Sequence, residues 1–578
     1  MPRTYLAILL VSAATLLLEI TLTRIFSVTQ GYHFAFMAVS LALLGFGASG
    51  TALAVWPQVV NKRDFSGVLA GASVCFAAAA IGGLYVTNAL PFDAYTLLWQ
   101  GRQLVFLALY YLVLAVPFFF AGAVVGAALA SFPGKAGRLY ASNLIGSALG
   151  CLLSLMVPSL TGASGAVVAV ALMGLLAAAV LSGRRVRWTL GAVAFALAAA
   201  TTAFPSALEL SISPYKGISQ ALRPERAAKV WAEWNAFSLV EVVESPSIHT
   251  APGLSFTYDG EIPSQVAIAV DGDNLSPITD LSPQDAVFTG FLPTSLVYRL
   301  SPRPRALLIE PGGGLDVLTA LHHDASSVVA VIGNPLVLEA VAARSGSRAG
   351  GVYSDPRVEV AVSGHRSYLR GADERFDVVQ LSLADAFRPV LAGAYGISES
   401  YLYTTEAFQE YYRRLAPDGF ISVTRWIQIP PSEGMRTVSV AVLALEREGV
   451  ERPGRHIAVF RTLQTLTVLV KRSELTDSDI SELRELIGRL QYDLVYYDGI
   501  GPSALNRYNV HPTPLYHDAV ADILSRDSRA GFYRRQSFDL SPVTDDRPFF
   551  FHLFRWAQTG EILATWEGHF SHSAGRGF

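Results

Sequence analysis

Charge is scarce in this sequence. Asp, Glu, Lys and Arg make up only 16% of the 578 residues, against roughly 25% in an ordinary soluble domain. The formal net charge is −3 and no run of Lys or Arg occurs, so a nucleic-acid partner is not expected. Cysteine is nearly absent as well. Cys75 and Cys151 both fall in apolar stretches, which excludes a disulfide framework and says nothing about compartment. His322 and His323 are adjacent and lack ligand spacing, so no metal site is expected. Neither Gly-x-Ser-x-Gly nor His-Glu-x-x-His appears.

Apolar sequence is abundant. Hydrophobic residues make up 51% of the chain, and its mean hydropathy is +0.37. They concentrate before Pro205; beyond it charge density becomes ordinary. The first part offers about seven membrane-spanning candidates: Tyr5–Ile25, His33–Ala54, Gly67–Leu90, Leu104–Ala130, Leu139–Val157, Ala163–Leu181 and Trp188–Phe204. Most reach the roughly 20 apolar residues that a bilayer requires. Pro117 is placed to kink the fourth, and the seventh is the shortest. The first is too long, and followed by too many others, to read as a cleaved signal peptide.

Basic residues fall on alternate connections: Arg3, then Lys62 and Arg63, then Lys135 and Arg138, then Arg184, Arg185 and Arg187. This bias puts the N-terminus in the cytoplasm. Seven crossings then carry everything after Pro205 outside the cytoplasm. Were Trp188–Phe204 to lie along the surface, the rest would be cytoplasmic. Glu19 and Arg24, in and at the end of the first span, read as an acid paired inside the bundle and an interfacial cation, with transport as the alternative. Gly45, Gly47, Gly50, Gly146 and Gly150 supply small-residue faces for close helix packing.

After a mixed polar linker, runs at Leu239–Glu244, Leu254–Tyr258 and Gln265–Val270, punctuated by Asp259-Gly260 and Asp271-Gly272, predict a small antiparallel β unit. Then Ala306–Glu310 reads as a short strand ending in a carboxylate, Pro311-Gly312-Gly313-Gly314 as a turn, Leu315–His323 as a helix and Ser327–Ile332 as a second strand. Strand, glycine turn and helix start is how a nucleotide-binding crossover opens. Glycine lets backbone approach a ligand, and the helix N-terminus presents free N–H groups. Further strands at Val358–Val362, Phe376–Leu383 and Phe420–Val423 alternate with helices at Pro335–Ala343, Thr405–Leu415 and Gly434–Glu446, and runs at His456–Phe460, Thr465–Val470 and Tyr492–Tyr497 extend the pattern. The expectation is a mostly parallel, Rossmann-like α/β sheet. The domain reading is a bundle at 1–204, a linker at 205–238, the β unit with its lead-in helix at 239–300, the α/β domain at 301–557 and a tail at 558–578.

Ligands of such sheets sit beyond the carboxyl ends of the strands, here Glu310–Asp316, Ile332–Asn334, Ser363–Arg366 and Ser382–Asp385. A nucleoside site calls for an acid after the second strand. Asn334 is the nearest polar group there, and a turn role before Pro335 is its plainer reading.

From about Leu239 to Trp426 the chain resembles the spermidine synthase (polyamine aminopropyltransferase) family. The resemblance rests on Val270-Asp271-Gly272, the Gly312–Gly314 turn, Val329–Pro335, Asp355–Val360, Glu374–Val379, Thr404–Phe408 and Leu415–Gly419. Together with the membrane half, it looks like that family's membrane-attached branch, in which longer relatives carry a second bundle after a segment like Phe550–Trp556. The resemblance implies transfer of an aminopropyl group from decarboxylated S-adenosylmethionine, or a related nucleoside, to a polyamine or other small amine. It also implies where acids are missing. The ribose acid's position holds Ile332, the adenine-side acid's Gly364, and the first of two acids after the Phe376 strand is Ser382. The second, Asp385, is present as the candidate base or amine anchor. Ser382 and Asp385 are thus the catalytic candidates. The donor-site candidates are Glu310, Gly312, Gly313, Gly314, Asp316, Asn334, Gly364 and His365, with Glu310, Asp316 and His365 able to offset the losses. Asp271 and Asp273 face a cation or simply form a turn, and Tyr401 and Tyr403 line an amine pocket or pack under the sheet. A degenerate enzyme, an inactive binding or sensing domain, and a transporter-associated protein are the three readings left.

Overall fold

The computed structural model describes residues 1–31, 34–59, 65–93, 96, 100–204, 208–344, 351–383 and 399–555. The chain divides into two compact units, Met1–Arg223 with Lys229–Glu241 and Ala269–Asp273, and Pro224–Ala228 with Val242–Ile268 and Asn274–Phe578.

The first unit is built on α1 (Pro2–Thr29), α2 (Ala35–Val55), α3 (Phe65–Ala89), α4 (Arg102–Ser131), α5 (Ala136–Leu181) and α6 (Arg184–Ala203). All six are long and apolar enough to cross a membrane. Seven segments were expected and six helices are found because Leu139–Val157 and Ala163–Leu181 both lie in α5. At about 1.5 Å per residue its 46 residues measure about 69 Å, more than twice the ~30 Å hydrocarbon layer. The helix breaks at Gly162 (φ 71°, ψ 172°), a conformation that costs glycine least. A Cβ on Gly146 or Gly150 would stand 2.3 Å from the carbonyl oxygen of Leu9 or Ala13, so α1 and α5 pack backbone to backbone. Gly45 likewise seats α2 on Phe118 of α4. Gly47 and Gly50 meet nothing within 4 Å among the described residues. Glu19 is half-buried and, against expectation, has no ion-pair partner among the described residues; Arg24 donates to the Phe237 carbonyl at 2.9 Å.

Residues beyond α6 return along one end of this bundle. The Leu208 carbonyl accepts from Ser164 Oγ (2.6 Å), the Glu209 carbonyl from Asn88 Nδ2 (3.0 Å), and Ser213 N–H donates to Thr29 O (2.8 Å). A short helix, α7 (Gly217–Ala221), follows.

The small sheet has four strands in the order β1 (Ala228–Trp234), β2 (Leu239–Glu244), β3 (Gln265–Val270) and β4 (Asp273–Thr279). Its first strand falls in the stretch read as linker, and Leu254–Tyr258 is no strand. There Ser255 Oγ and Thr257 Oγ1 pair with each other at 2.7 Å, and Thr257 N–H donates to Ser255 Oγ at 3.0 Å, local bonds that compete with a ladder. Asp271 (φ 51°) and Gly272 (φ 73°) make the two-residue β3–β4 turn, whose paired positive φ values match the strand twist.

The second unit carries α8 (Leu296–Leu300), β5 (Arg305–Ile309), α9 (Leu315–His322), β6 (Ser327–Ile332), α10 (Pro335–Arg344), β7 (Val358–Val362), α11 (His365–Gly371), β8 (Phe376–Leu381), α12 (Thr405–Arg413), β9 (Leu415–Trp426), α13 (Glu433–Arg447), β10 (Ile457–Arg461), β11 (Thr465–Lys471), α14 (Asp477–Leu490), β12 (Asp493–Tyr496), α15 (Leu515–Leu524) and α16 (Arg526–Arg535). Its eight-stranded sheet runs β12-β10-β11-β9-β8-β5-β6-β7. From β7 to β9 neighbouring strands are parallel; β11, β10 and β12 extend the sheet antiparallel. The central strands β5, β6 and β8 are almost wholly apolar because helices cover both faces. From β5 the chain winds outward through β6 and β7, then returns to β8 on the other side. That reversal is the place, beyond the carboxyl ends of β5 and β8, where sheets of this kind bind ligands.

Candidate functional site

Backbone strain gathers at the end of β5. Glu310 (φ 51°), Gly312 (φ 55°) and Gly314 (φ 94°) all lie in the left-handed region, and a non-glycine residue there is often tied to function. The glycines turn out to be spent on the protein itself. A Cβ on Gly313 would stand 2.2 Å from Pro277 O, one on Gly312 2.3 Å from Ser276 Oγ, and one on Gly314 2.4 Å from Val352 Cγ1. Gly313 N–H donates to Ser276 Oγ at 2.8 Å, and Tyr353 Oη–H to Gly312 O at 2.7 Å. The close approach expected toward a ligand is an approach to β4.

The same strain aims Glu310 across the sheet. Its Oε1 accepts from Gly333 N–H at 3.0 Å, directly after Ile332, whose side chain is buried in the core. A carboxylate therefore stands at the tip of β6 although β6 ends in isoleucine: β5 supplies it. Burial pushes Glu310 above the usual carboxylate range, and the Gly333 N–H draws it partly back. Its second oxygen receives no hydrogen bond among the described residues. Asn334 is a turn residue here, its Oδ1 accepting from Leu336 N–H at 3.3 Å.

Asp316, in the first turn of α9, is 8% exposed. Burial raises its carboxyl above the ordinary range, while the side chains of Ser382, Thr294 and Gln380 face it and lower it. Ser382 Oγ, Thr294 Oγ1 and Gln380 Nε2 are all buried, yet none closes a hydrogen bond of proper distance and angle. Tyr298 Oη–H fixes the Gln380 amide by donating to its Oε1 at 2.7 Å. Two sequence candidates, Asp316 and Ser382, thus meet in one buried polar cell. Thr294 and Gln380 were missed, because a threonine before a helix and a glutamine inside a strand carry no signal by themselves.

Gly364 precedes α11 with ordinary backbone, and a Cβ there would meet nothing nearer than Ser367 Oγ at 4.0 Å. The room for a side chain is present. His365 lies beside it, Nε2 3.2 Å from Tyr401 O, and burial holds its pKa below the ordinary histidine value. Tyr401 is 43% exposed, whereas Tyr403 packs under the sheet, its ring 4.5 Å from that of Phe550 and its hydroxyl 2.8 Å from Arg425 Nη1. The buried Arg425 also pairs with Glu433. Arg436, buried as well, donates to the carbonyls of Phe549 (3.1 Å), Phe550 (2.7 Å) and His552 (2.7 Å), which pins the segment that opens Phe550–Trp556. Asp385 lies outside the described residues.

No family model matches the chain. It is 28% identical over 152 residues to the polyamine aminopropyltransferase of Korarchaeum cryptofilum (strain OPF8), a match that covers 26% of this chain and 42% of that one. The chain thus spans less than half the length of that relative. Among solved structures it is similar to a spermidine synthase in complex with the transition-state analogue AdoDATO, at 18% identity over 49% of this chain and 85% of that one, with a TM-score of 0.30. The Thermotoga maritima spermidine synthase gives 17% identity, the same coverage and a TM-score of 0.30. By sequence, part of this chain is similar to a polyamine aminopropyltransferase; by topology, its second unit is a Rossmann-like α/β fold.

Proposed function

We propose that this protein is a membrane-anchored, spermidine-synthase-like transferase that binds an adenosylmethionine-type nucleoside beyond β5 and β6. The observation that carries the reading is Glu310, whose carboxylate stands at the tip of β6, where a ribose would present its hydroxyls. In the transfer, the amine nitrogen's lone pair forms a bond to the terminal propyl carbon. The carbon–sulfur bond breaks with its electrons going to sulfur, methylthioadenosine leaves neutral, and the new ammonium gives up one proton. Asp385 is the proton acceptor that the sequence offers, and Asp316 with Ser382, Thr294 and Gln380 forms a polar group at the carboxyl end of β8. A binding domain without turnover is the second reading, and what supports it is Ile332, Gly364 and Ser382 at the positions where the resemblance calls for acids.

Within the same proposal, the α/β unit lies outside the cytoplasm. The second half of α5 starts at Ala163 and ends at Leu181, and α6 begins three residues later. Leu208, just beyond α6, is bonded to Ser164. The chain must therefore travel back the length of that half-helix, about 28 Å at 1.5 Å per residue, which matches the hydrocarbon layer. That supports the reading of seven crossings, in which residue 208 is on the side opposite Met1. A reporter fused after Phe578 is expected to be active only outside the cytoplasm.

The activity is tested on the full chain in detergent with decarboxylated adenosylmethionine and putrescine. Release of methylthioadenosine that needs both substrates is expected. Tight nucleoside binding with no release would leave the second reading, and neither binding nor release would overturn both.

A further inference from the structure

The end of α1 is held by a buried clamp built around a lysine. Lys216 is 3% exposed. Its Nζ donates to Ser27 O at 2.7 Å and Asp271 O at 2.8 Å, and stands 3.6 Å from Asp273 Oδ2. Ser27 Oγ donates to Asp271 Oδ2 at 2.8 Å, while Asp271 Oδ1 accepts from Leu239 N–H at 2.9 Å. Gly217 N–H donates to Asp273 Oδ1 and Ile218 N–H to Gly272 O, each at 3.0 Å. Asp271 thus forms the turn and offers Lys216 its backbone carbonyl, while the Asp273 carboxylate faces that cation, which is the chain's own.

A buried ammonium that loses an acceptor has no water to replace it, so the clamp is closed or open with little between. Its acceptors sit on the β3–β4 turn, whose two positive-φ residues give it little freedom. The turn leads straight into β4. Three residues past Asp273, about 10 Å along an extended strand at ~3.3 Å per residue, Ser276 Oγ accepts the Gly313 N–H, and Pro277 O closes on Gly313 with no room for a Cβ.

We propose that β4 is a transmission strand, through which the state of the α1 clamp and the state of the glycine turn bias one another. Both sites act on a single short strand at the edge of its sheet. A clamp that opens shifts Asp273, and Ser276 can follow only by releasing the Gly313 amide. Linkage requires the reverse effect as well: whatever tightens the glycine turn tightens the clamp. The link rests on these contacts alone; that a nucleoside operates it rests on the function proposed above.

Amide exchange on the full chain in detergent tests the link with or without a ligand. In Lys216→Met, exchange at Gly312–Leu315 is expected to rise at least about fivefold, the lower bound of typical coupling. Lys471→Met removes another buried lysine, one paired with Asp479 on α14, and is expected to leave that stretch unchanged. Faster exchange at 26–30 and 271–273 in Lys216→Met, with 312–315 as in the wild type, would overturn the proposal. If Lys216→Met does not accumulate folded, Ser276→Ala is read in the other direction. Faster exchange at 271–273 supports the link, and an unchanged rate overturns it. Methylthioadenosine that binds without slowing exchange at 271–273 would overturn the operation of the link by a nucleoside. Failure of the wild type to bind methylthioadenosine counts against the proposed function, and the exchange comparison still decides the link.

Discussion

The tips of β6 and β8 carry Ile332 and Ser382 where an aminopropyltransferase-like site calls for acids, and at each a carboxylate arrives from a neighbouring element. At β6 it is Glu310, half-buried, holding one backbone N–H and keeping its other oxygen unengaged among the described residues. At β8 it is Asp316, sunk behind the glycine turn among side chains that face it without closing a bond. The first carboxylate stands where a ligand hydroxyl can reach it. The second is buried among Ser382, Thr294 and Gln380. A missing acid is therefore no proof of a missing charge, since the fold can deliver one from the next strand. The delivered charges are still not equivalent, because depth decides what each can touch.

Substitutions can break this contrast or sharpen it. The largest effect is expected from Gly313→Ala, which sets a methyl group against the Pro277 carbonyl. Destabilisation at the upper end of the roughly 1–3 kcal/mol of an overpacked site, with loss of nucleoside binding, is expected in thermal unfolding and calorimetry. Next comes Glu310→Gln. Losing a hydrogen bond to a charged group costs roughly 1.5–3 kcal/mol, so affinity for methylthioadenosine should fall about tenfold to a hundredfold. Asp316→Asn should change that affinity by less than about threefold (under 1 kcal/mol), and a loss as large as that of Glu310→Gln would erase the distinction between the two tips.

The smallest effect is a pH dependence with opposite signs in two measurements. Glu310 and Asp316 both have folded-state pKa values raised by burial. Their stabilising contribution is therefore fully present below the unfolded values and is lost as pH rises through the raised ones. In the ligand-free protein, both Glu310→Gln and Asp316→Asn should then melt no lower than the wild type at neutral pH. Nucleoside affinity runs the other way. It needs the ionised Glu310, so it should increase as pH climbs from the ordinary carboxylate range through that raised value, and Glu310→Gln should flatten the rise.

How much of this was legible in the sequence follows the range of the forces involved. The apolar helices of the first part and the mostly parallel α/β sheet come from local apolar runs, and those readings hold. The break at Gly162 falls in the gap left between Leu139–Val157 and Ala163–Leu181, so its place was legible, whereas the continuation of helix right up to it on both sides was not. Leu254–Tyr258 has strand-like residues, but the hydroxyls of Ser255 and Thr257 offer its backbone a local alternative. The glycine turn was readable as a turn; that β4 fills it was not, because Ser276 and Gly313 are joined only by the fold. Glu310 was on the page as a candidate, but its reach to Gly333 depends on a positive φ that sequence does not announce for glutamate. Arg425 and Arg436 are arginines inside apolar runs, a visible oddity whose partners lie more than a hundred residues away in the case of Arg436.

The most direct test of the central claim is equilibrium binding of methylthioadenosine to the full-length protein in detergent, with the wild type and Glu310→Gln measured side by side. Saturable binding by the wild type, weakened at least about tenfold in the variant, is the predicted result. Equal affinity in the two proteins would show that the β6 tip does not hold the ligand, and the account of the site would be wrong.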